Sequence, residues 1–201
     1  KQPLLTGVLW GLAMLSKYNG ILLGLPVVMV FFRRPLHLAA ATLLALVITS
    51  PTLIWNAAHH WEGFQFQLGH GLGGGGGVST FLEFLGGQLG MGGPILVLLT
   101  LWWLMRERSV LLLKVAALLP LLFFGFASWK ARGEANWGAA AWLSASVGLG
   151  LSGLGKWRRA ALALNIAVVS AGTALLVFPP RQIWGAPGIQ KLHGWSYLNR
   201  L

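Results

Sequence analysis

Residues Pro51 to His70 read PTLIWNAAHHWEGFQFQLGH, the one place where a long apolar run gives way to closely spaced aromatic, amide and imidazole groups. Trp55, Asn56, His59, His60, Trp61, Gln65, Gln67 and His70 all fall within it. Its position at the end of a hydrophobic helix predicts an exposed loop that holds a polar group beside a bilayer. The sequence on both sides supports that setting. Hydrophobic residues make up 56% of the 201 and charged residues 9%. With a mean hydropathy of +0.69, the chain departs far from the roughly 25% charge of soluble domains. Apolar runs of about 17 to 20 residues match the roughly 30 Å hydrocarbon core and lack the period-two alternation of barrel strands. Helices are the expected spanning element, because lipid offers no partner to a free backbone N–H or C=O.

The net charge of +11 does not form a continuous basic face, so the basic residues read as topology signals and not as a nucleic-acid footprint. Lys1, Arg33, Arg34, Arg106, Arg108, Lys114, Lys156, Arg158 and Arg159 fall on one side of an arrangement with about seven crossings, which the positive-inside rule makes cytoplasmic. The expected fold is thus an all-α, polytopic membrane helix bundle. Its transmembrane domain covers 1–178, with outer loops near 56–85 and 129–137, followed by a polar outer-face tail over 179–201. A multi-pass protein of the inner (plasma) membrane is implied, with its polar loops extracytoplasmic. Within this frame, 86–105 is expected to return through the membrane as one span. The run HGLGGGGG (70–77) reads as a flexible connector and not a phosphate-binding P-loop, since no Gly-Lys-Ser/Thr follows. Lys114, one turn into a span, is expected to snorkel.

Chemistry is sparse. No Cys or Asp is present, and the only carboxylate side chains are Glu62, Glu83, Glu107 and Glu134. Lys17, at the tip of a helical hairpin beside Tyr18 and Asn19, is a candidate ligand for a lipid phosphate, the alternative being a lysine that snorkels to ordinary headgroups. Lys130 and Arg132, within WKARGEANW (129–137), suit a phosphate or pyrophosphate, a guanidinium forking onto two oxygens where an ammonium supplies a point charge. Glu134, Asn136 and Trp137 beside them, with Asn56, His59, Trp61, Gln67 and His70 from the first loop, pair aromatic faces with hydrogen-bonding groups, as a sugar or acceptor requires. An ordinary interfacial aromatic belt is the alternative. The spacing of His59, His60 and His70 matches no common zinc motif, so no metal is expected.

The succession LSKYNG (15–20), SPTLIWNAAHHWEGFQFQLGH (50–70), FLEFLGGQLGMGGP (81–94) and WKARGEANW resembles the C-terminal half of bacterial glycosyltransferase family 39 membrane proteins. These are relatives of the protein O-mannosyltransferases and of the aminoarabinose transferase that modifies lipid A. The resemblance covers about 4–178, and its most specific part is the Pro51–His70 string. It implies a GT-C fold and transfer of a sugar from a polyprenyl-phosphate donor to an acceptor at the outer membrane face. The match carries over to Lys17 as a lipid-phosphate ligand and to Lys130, Arg132, Glu134 and Asn136 as donor or acceptor contacts; by their own chemistry Tyr18, Lys130 and Arg132 join Lys17 as candidates for the lipid phosphate. The Asp that such enzymes carry in their first outer loop has no counterpart here. That absence fits a fragment whose partner is the N-terminal half of the same protein, and a piece inactive alone. A lipid-linked-sugar flippase or transporter would use the same cations, and a non-catalytic membrane scaffold is a third reading.

Overall fold

The computed structural model describes residues 2–106, 111–153 and 155–177. The expected turn around Glu107 and Arg108, the basic terminus at Lys1 and the tail over 179–201 lie outside the described residues. Among those described, the chain is helical and contains no strand. Helix α1 spans Pro3–Ser16, α2 Gly24–Phe31, α3 Pro35–Ala58, α4 Glu62–Leu72, α5 Val78–Gly92, α6 Pro94–Arg106, α7 Leu111–Lys130, α8 Ala139–Leu151 and α9 Lys156–Val177. Short 3₁₀ helices cover Tyr18–Leu23 and Ala135–Gly138. Proline opens α1 and α3, where its missing N–H would have no helical partner anyway.

Among the described residues, α3 and α7 are each long and apolar enough to cross a membrane, and the α5–α6 pair makes a third candidate if its two arms count as one bent span. Leu43, Val47 and Ile54 on α3 and Leu122 and Phe126 on α7 stand exposed, as lipid-facing side chains would. Pro51 lies inside α3 and removes the N–H that Val47 O would accept. Ser50 repairs the loss, its hydroxyl donating to that carbonyl at 2.7 Å.

The most extensive helix pairing joins α1 to α3. Gly7 and Gly11 meet Ala41 and Ala45, two small-xxx-small motifs that let the backbones approach closely. A Cβ at Gly11 would fall 2.8 Å from Ile48 Cβ and 2.9 Å from Ala45 O. Gly11→Val is therefore expected to destabilise the protein by about 1–3 kcal/mol, read from denaturant unfolding in micelles. Leu9→Ala, on the exposed side of α1, should stay within about 0.5 kcal/mol. On the other flank, Leu96, Trp103, Ala117, Ala145 and Leu149 form a core among α6, α7 and α8.

Two segments depart from the sequence expectation. The outer loop near 56–85 is largely helical, because Phe64, Gln67, Leu68, Gly71 and Leu72 recur at helical spacing and line one cavity together. The non-helical parts shrink to the glycine run over 73–77 and to His59–Trp61, where His60 and Trp61 take left-handed φ values of 52° and 62°. Asn56 O holds this turn by accepting from His59 N and Trp61 N, and the Gln65 amide donates to His60 O at 2.9 Å. The second departure is at 86–105, which is no straight span: α5 and α6 meet at 98°. Gly93 makes the corner at φ 75°, and Pro94 opens α6 because it cannot donate back into α5.

Candidate functional site

Lys17 closes α1 in extended conformation, so the chain doubles back. The following 3₁₀ helix packs on α1, where a Cβ on Gly20 would strike the backbone of Ala13, and Trp10 Nε1 donates to Gly20 O at 3.0 Å. This hairpin carries Lys17 to the WKARGEANW segment, 119 positions away, where Nζ reaches Asn136 Oδ1 at 3.5 Å. That separation is at the outer limit for a hydrogen bond, and no carboxylate pairs with Lys17 among the described residues. Lys17 lines a cavity of about 330 Å³ together with the polar Tyr18, Asn19, Thr52 and Gln67 and the apolar Met14 and Leu15. Tyr18, Asn19 and Gln67 are shared with a second cavity of about 250 Å³, otherwise walled by apolar groups such as Leu22, Phe64, Leu68 and Phe124. A cationic pocket thus adjoins an apolar one, the layout an amphiphile with an anionic head requires.

Most of the expected site residues gather here. Asn56 is fully buried and donates to Tyr18 Oη at 3.3 Å and to Thr52 O at 2.9 Å, while its own Oδ1 has no hydrogen-bond partner. Trp137 walls the apolar cavity and touches Phe124 and His70, each at a ring separation of 5.4 Å. Other expected residues lie elsewhere. His59 stacks on Trp55 at 4.2 Å, and Trp61 reaches the site only through Phe64. Glu134 is exposed, and its carbonyl accepts from Trp137 N.

Lys130 and Arg132 do not join Lys17. The Lys130 ammonium lies over Phe126, and Arg132 pairs with Glu83 at 3.0 Å. Phe123, Phe124 and Ala127 of α7 line the cavity that adjoins the Lys17 pocket, whereas the Lys130 side chain turns to the Phe126 ring on the neighbouring face. Both partners of the Arg132–Glu83 pair are more than half exposed. Glu83→Gln is thus expected to cost under about 1 kcal/mol in the same unfolding measurement. Lys114 does not simply snorkel, since it donates to Leu104 O at the end of α6 and lies 5.8 Å from the Trp103 ring.

The glycine run is anchored at one point. Gly76 N donates to Lys130 O, and any side chain there would collide with the backbone of Trp129 to Ala131. Gln88 and Asn165 do comparable positioning work that the sequence reading passed over. Buried Gln88 donates to Ala135 O at 2.8 Å and accepts from Trp142 Nε1 at 3.0 Å, which fixes the segment bearing Asn136 against α5. Buried Asn165 bridges the break between α5 and α6: Oδ1 accepts from Ile95 N and Leu96 N at 3.1 Å, and Nδ2 donates to Gly92 O at 2.8 Å. A lone amide inside an apolar run was the available signal for both. Among the described residues, no three His, Asp or Glu side chains converge as a metal site would. No protein-family model, curated protein or solved structure matches the chain.

Proposed function

We propose that the chain supplies the donor-binding part of a GT-C-type membrane glycosyltransferase that uses a polyprenyl-phosphate sugar. The observation that carries this reading is Lys17: a cation without a carboxylate partner among the described residues, held near Asn136 and lining a pocket that shares Tyr18, Asn19 and Gln67 with an apolar one. In the proposed reaction the acceptor oxygen attacks the anomeric carbon as the bond from that carbon to the phosphate oxygen breaks. Polyprenyl phosphate leaves with the electron pair, its charge stabilised by Lys17. The acceptor proton goes to a carboxylate outside this chain, which has no Asp. Gln67, Asn136 and Trp137 would contact the sugar.

The proposed topology has seven crossings of the inner membrane. They are α1, the 3₁₀–α2 segment, α3, the bent α5–α6 pair, α7, α8 and α9, with Lys17, α4 and WKARGEANW on the extracytoplasmic face. A transporter of lipid-linked sugars would use the polar groups freed at a broken helix to hold substrate. Here Asn165 occupies those groups, which supports the transferase reading.

A transfer assay on the full-length protein in bilayers, with a labelled polyprenyl-phosphate hexose, tests the proposal. Release of polyprenyl phosphate that depends on Lys17 is the expected result. Binding without turnover for any such donor would replace the enzyme by a lipid-binding membrane subunit.

A further inference from the structure

The opposite face of α7 carries a second cavity, and it is larger. The elbow between α5 and α6 holds these helices apart and leaves a groove of about 680 Å³ against α7, walled by Phe81, Leu85, Leu101, Leu118, Leu122 and Phe126. Gly125 lies at its floor with no side chain to fill it. Along α7 the groove runs from Leu118 to Trp129, a rise of roughly 16 Å at 1.5 Å per residue. That is about half of the ~30 Å hydrocarbon core, the depth of one leaflet. Its lining is apolar except for Gln88, whose amide already has partners at both ends, and Thr100, whose buried hydroxyl has no hydrogen-bond partner.

At the Leu118 end the Lys114 ammonium is already taken up by Leu104 O, and the other cation stands at the opposite end. Trp129 lines the mouth, and Lys130 stands beside it with its ammonium 5.7 Å from the Phe126 ring. Arg132 and Glu83 neutralise each other nearby, so Lys130 is the cation there without a carboxylate partner among the described residues. Depth, apolar walls and a single cation at the interfacial end describe one chain and one anionic head.

We propose that this groove seats an acyl chain of an anionic bilayer phospholipid, with the phosphodiester at Lys130. The site is separate from the cavity beside Lys17 and does not depend on the transferase reading. The test is native mass spectrometry of the purified full-length protein in lipid-free micelles, titrated with phosphatidylglycerol or phosphatidylcholine. Wild type should retain one phosphatidylglycerol about fivefold more strongly than phosphatidylcholine, the preference expected from one interfacial lysine. Lys130→Gln should abolish the preference. Leu122→Trp and Leu101→Trp, which fill the groove from facing helices, should each reduce retention of both lipids while helicity stays unchanged by circular dichroism. Equal retention of the two lipids by wild type would overturn the proposal, as would unchanged retention in both tryptophan variants. One-for-one displacement of phosphatidylglycerol by undecaprenyl phosphate would also overturn it, by giving the groove to an isoprenoid chain.

Discussion

Asn165→Ala is expected to destabilise the protein by about 2–4 kcal/mol, because it unpairs three backbone groups that no water in an apolar interior would reach. Two are the N–H groups of Ile95 and Leu96, which as first-turn donors of α6 have no intrahelical acceptor. The third is Gly92 O at the end of α5. Each such buried group costs about 1–3 kcal/mol when left unpaired, and relaxation of the corner recovers part of the total. Two measurements separate a clamp from a merely well-packed residue. Denaturant unfolding in micelles reports the overall loss, with Ser146→Ala on the exposed surface of α8 as a control expected within about 0.5 kcal/mol. Hydrogen exchange at Ile95 and Leu96 should accelerate in Asn165→Ala ahead of the surrounding core. Unchanged exchange at both amides would mean that the break holds its shape without the amide.

Removing the charge at position 17 should weaken binding of polyprenyl phosphate by about ten- to a hundredfold in the full-length protein. The estimate rests on about 1.5–3 kcal/mol for a hydrogen bond to a charged group, at about 1.4 kcal/mol per tenfold. Lys17→Met is the informative variant, since it keeps an apolar stem of similar length while deleting the ammonium. It should lose as much affinity as Lys17→Ala, whereas Lys17→Arg should stay within about tenfold of wild type because the charge remains. Asn136→Ala removes only a long neutral partner and should cost about threefold. Wild-type affinity in both Lys17→Met and Lys17→Ala would remove Lys17 from the site and leave the proposed function without its main support.

The membrane character and the hairpin at Lys17 were legible residue by residue, since apolar runs and the charges that bound them are local properties. The helical stretch Glu62–Leu72 was less so. Its crowd of aromatics and amides pointed to a loop, although the spacing of Phe64, Leu68 and Leu72 already carried the helical period. The α5–α6 break was written in Gly92, Gly93 and Pro94, but close helix approach accounts for glycines equally well, and only the 98° angle separates the two meanings. Composition alone also grouped Lys130 and Arg132 with Lys17 as lipid-phosphate ligands. Residues close in sequence just past a helix end can still diverge: Lys130 lies over Phe126, Arg132 pairs with Glu83 and Asn136 meets Lys17.

By itself the sequence determined that this is a helical membrane protein with few ionisable groups, because hydropathy and charge act through each segment's own transfer free energy. Which polar groups meet was decided by tertiary structure alone. Lys17 with Asn136, Gln88 with Ala135 and Trp142, and Asn165 with Gly92 join positions 47 to 119 residues apart. Such pairings depend on how helices pack and turn about their axes, which no local pattern specifies.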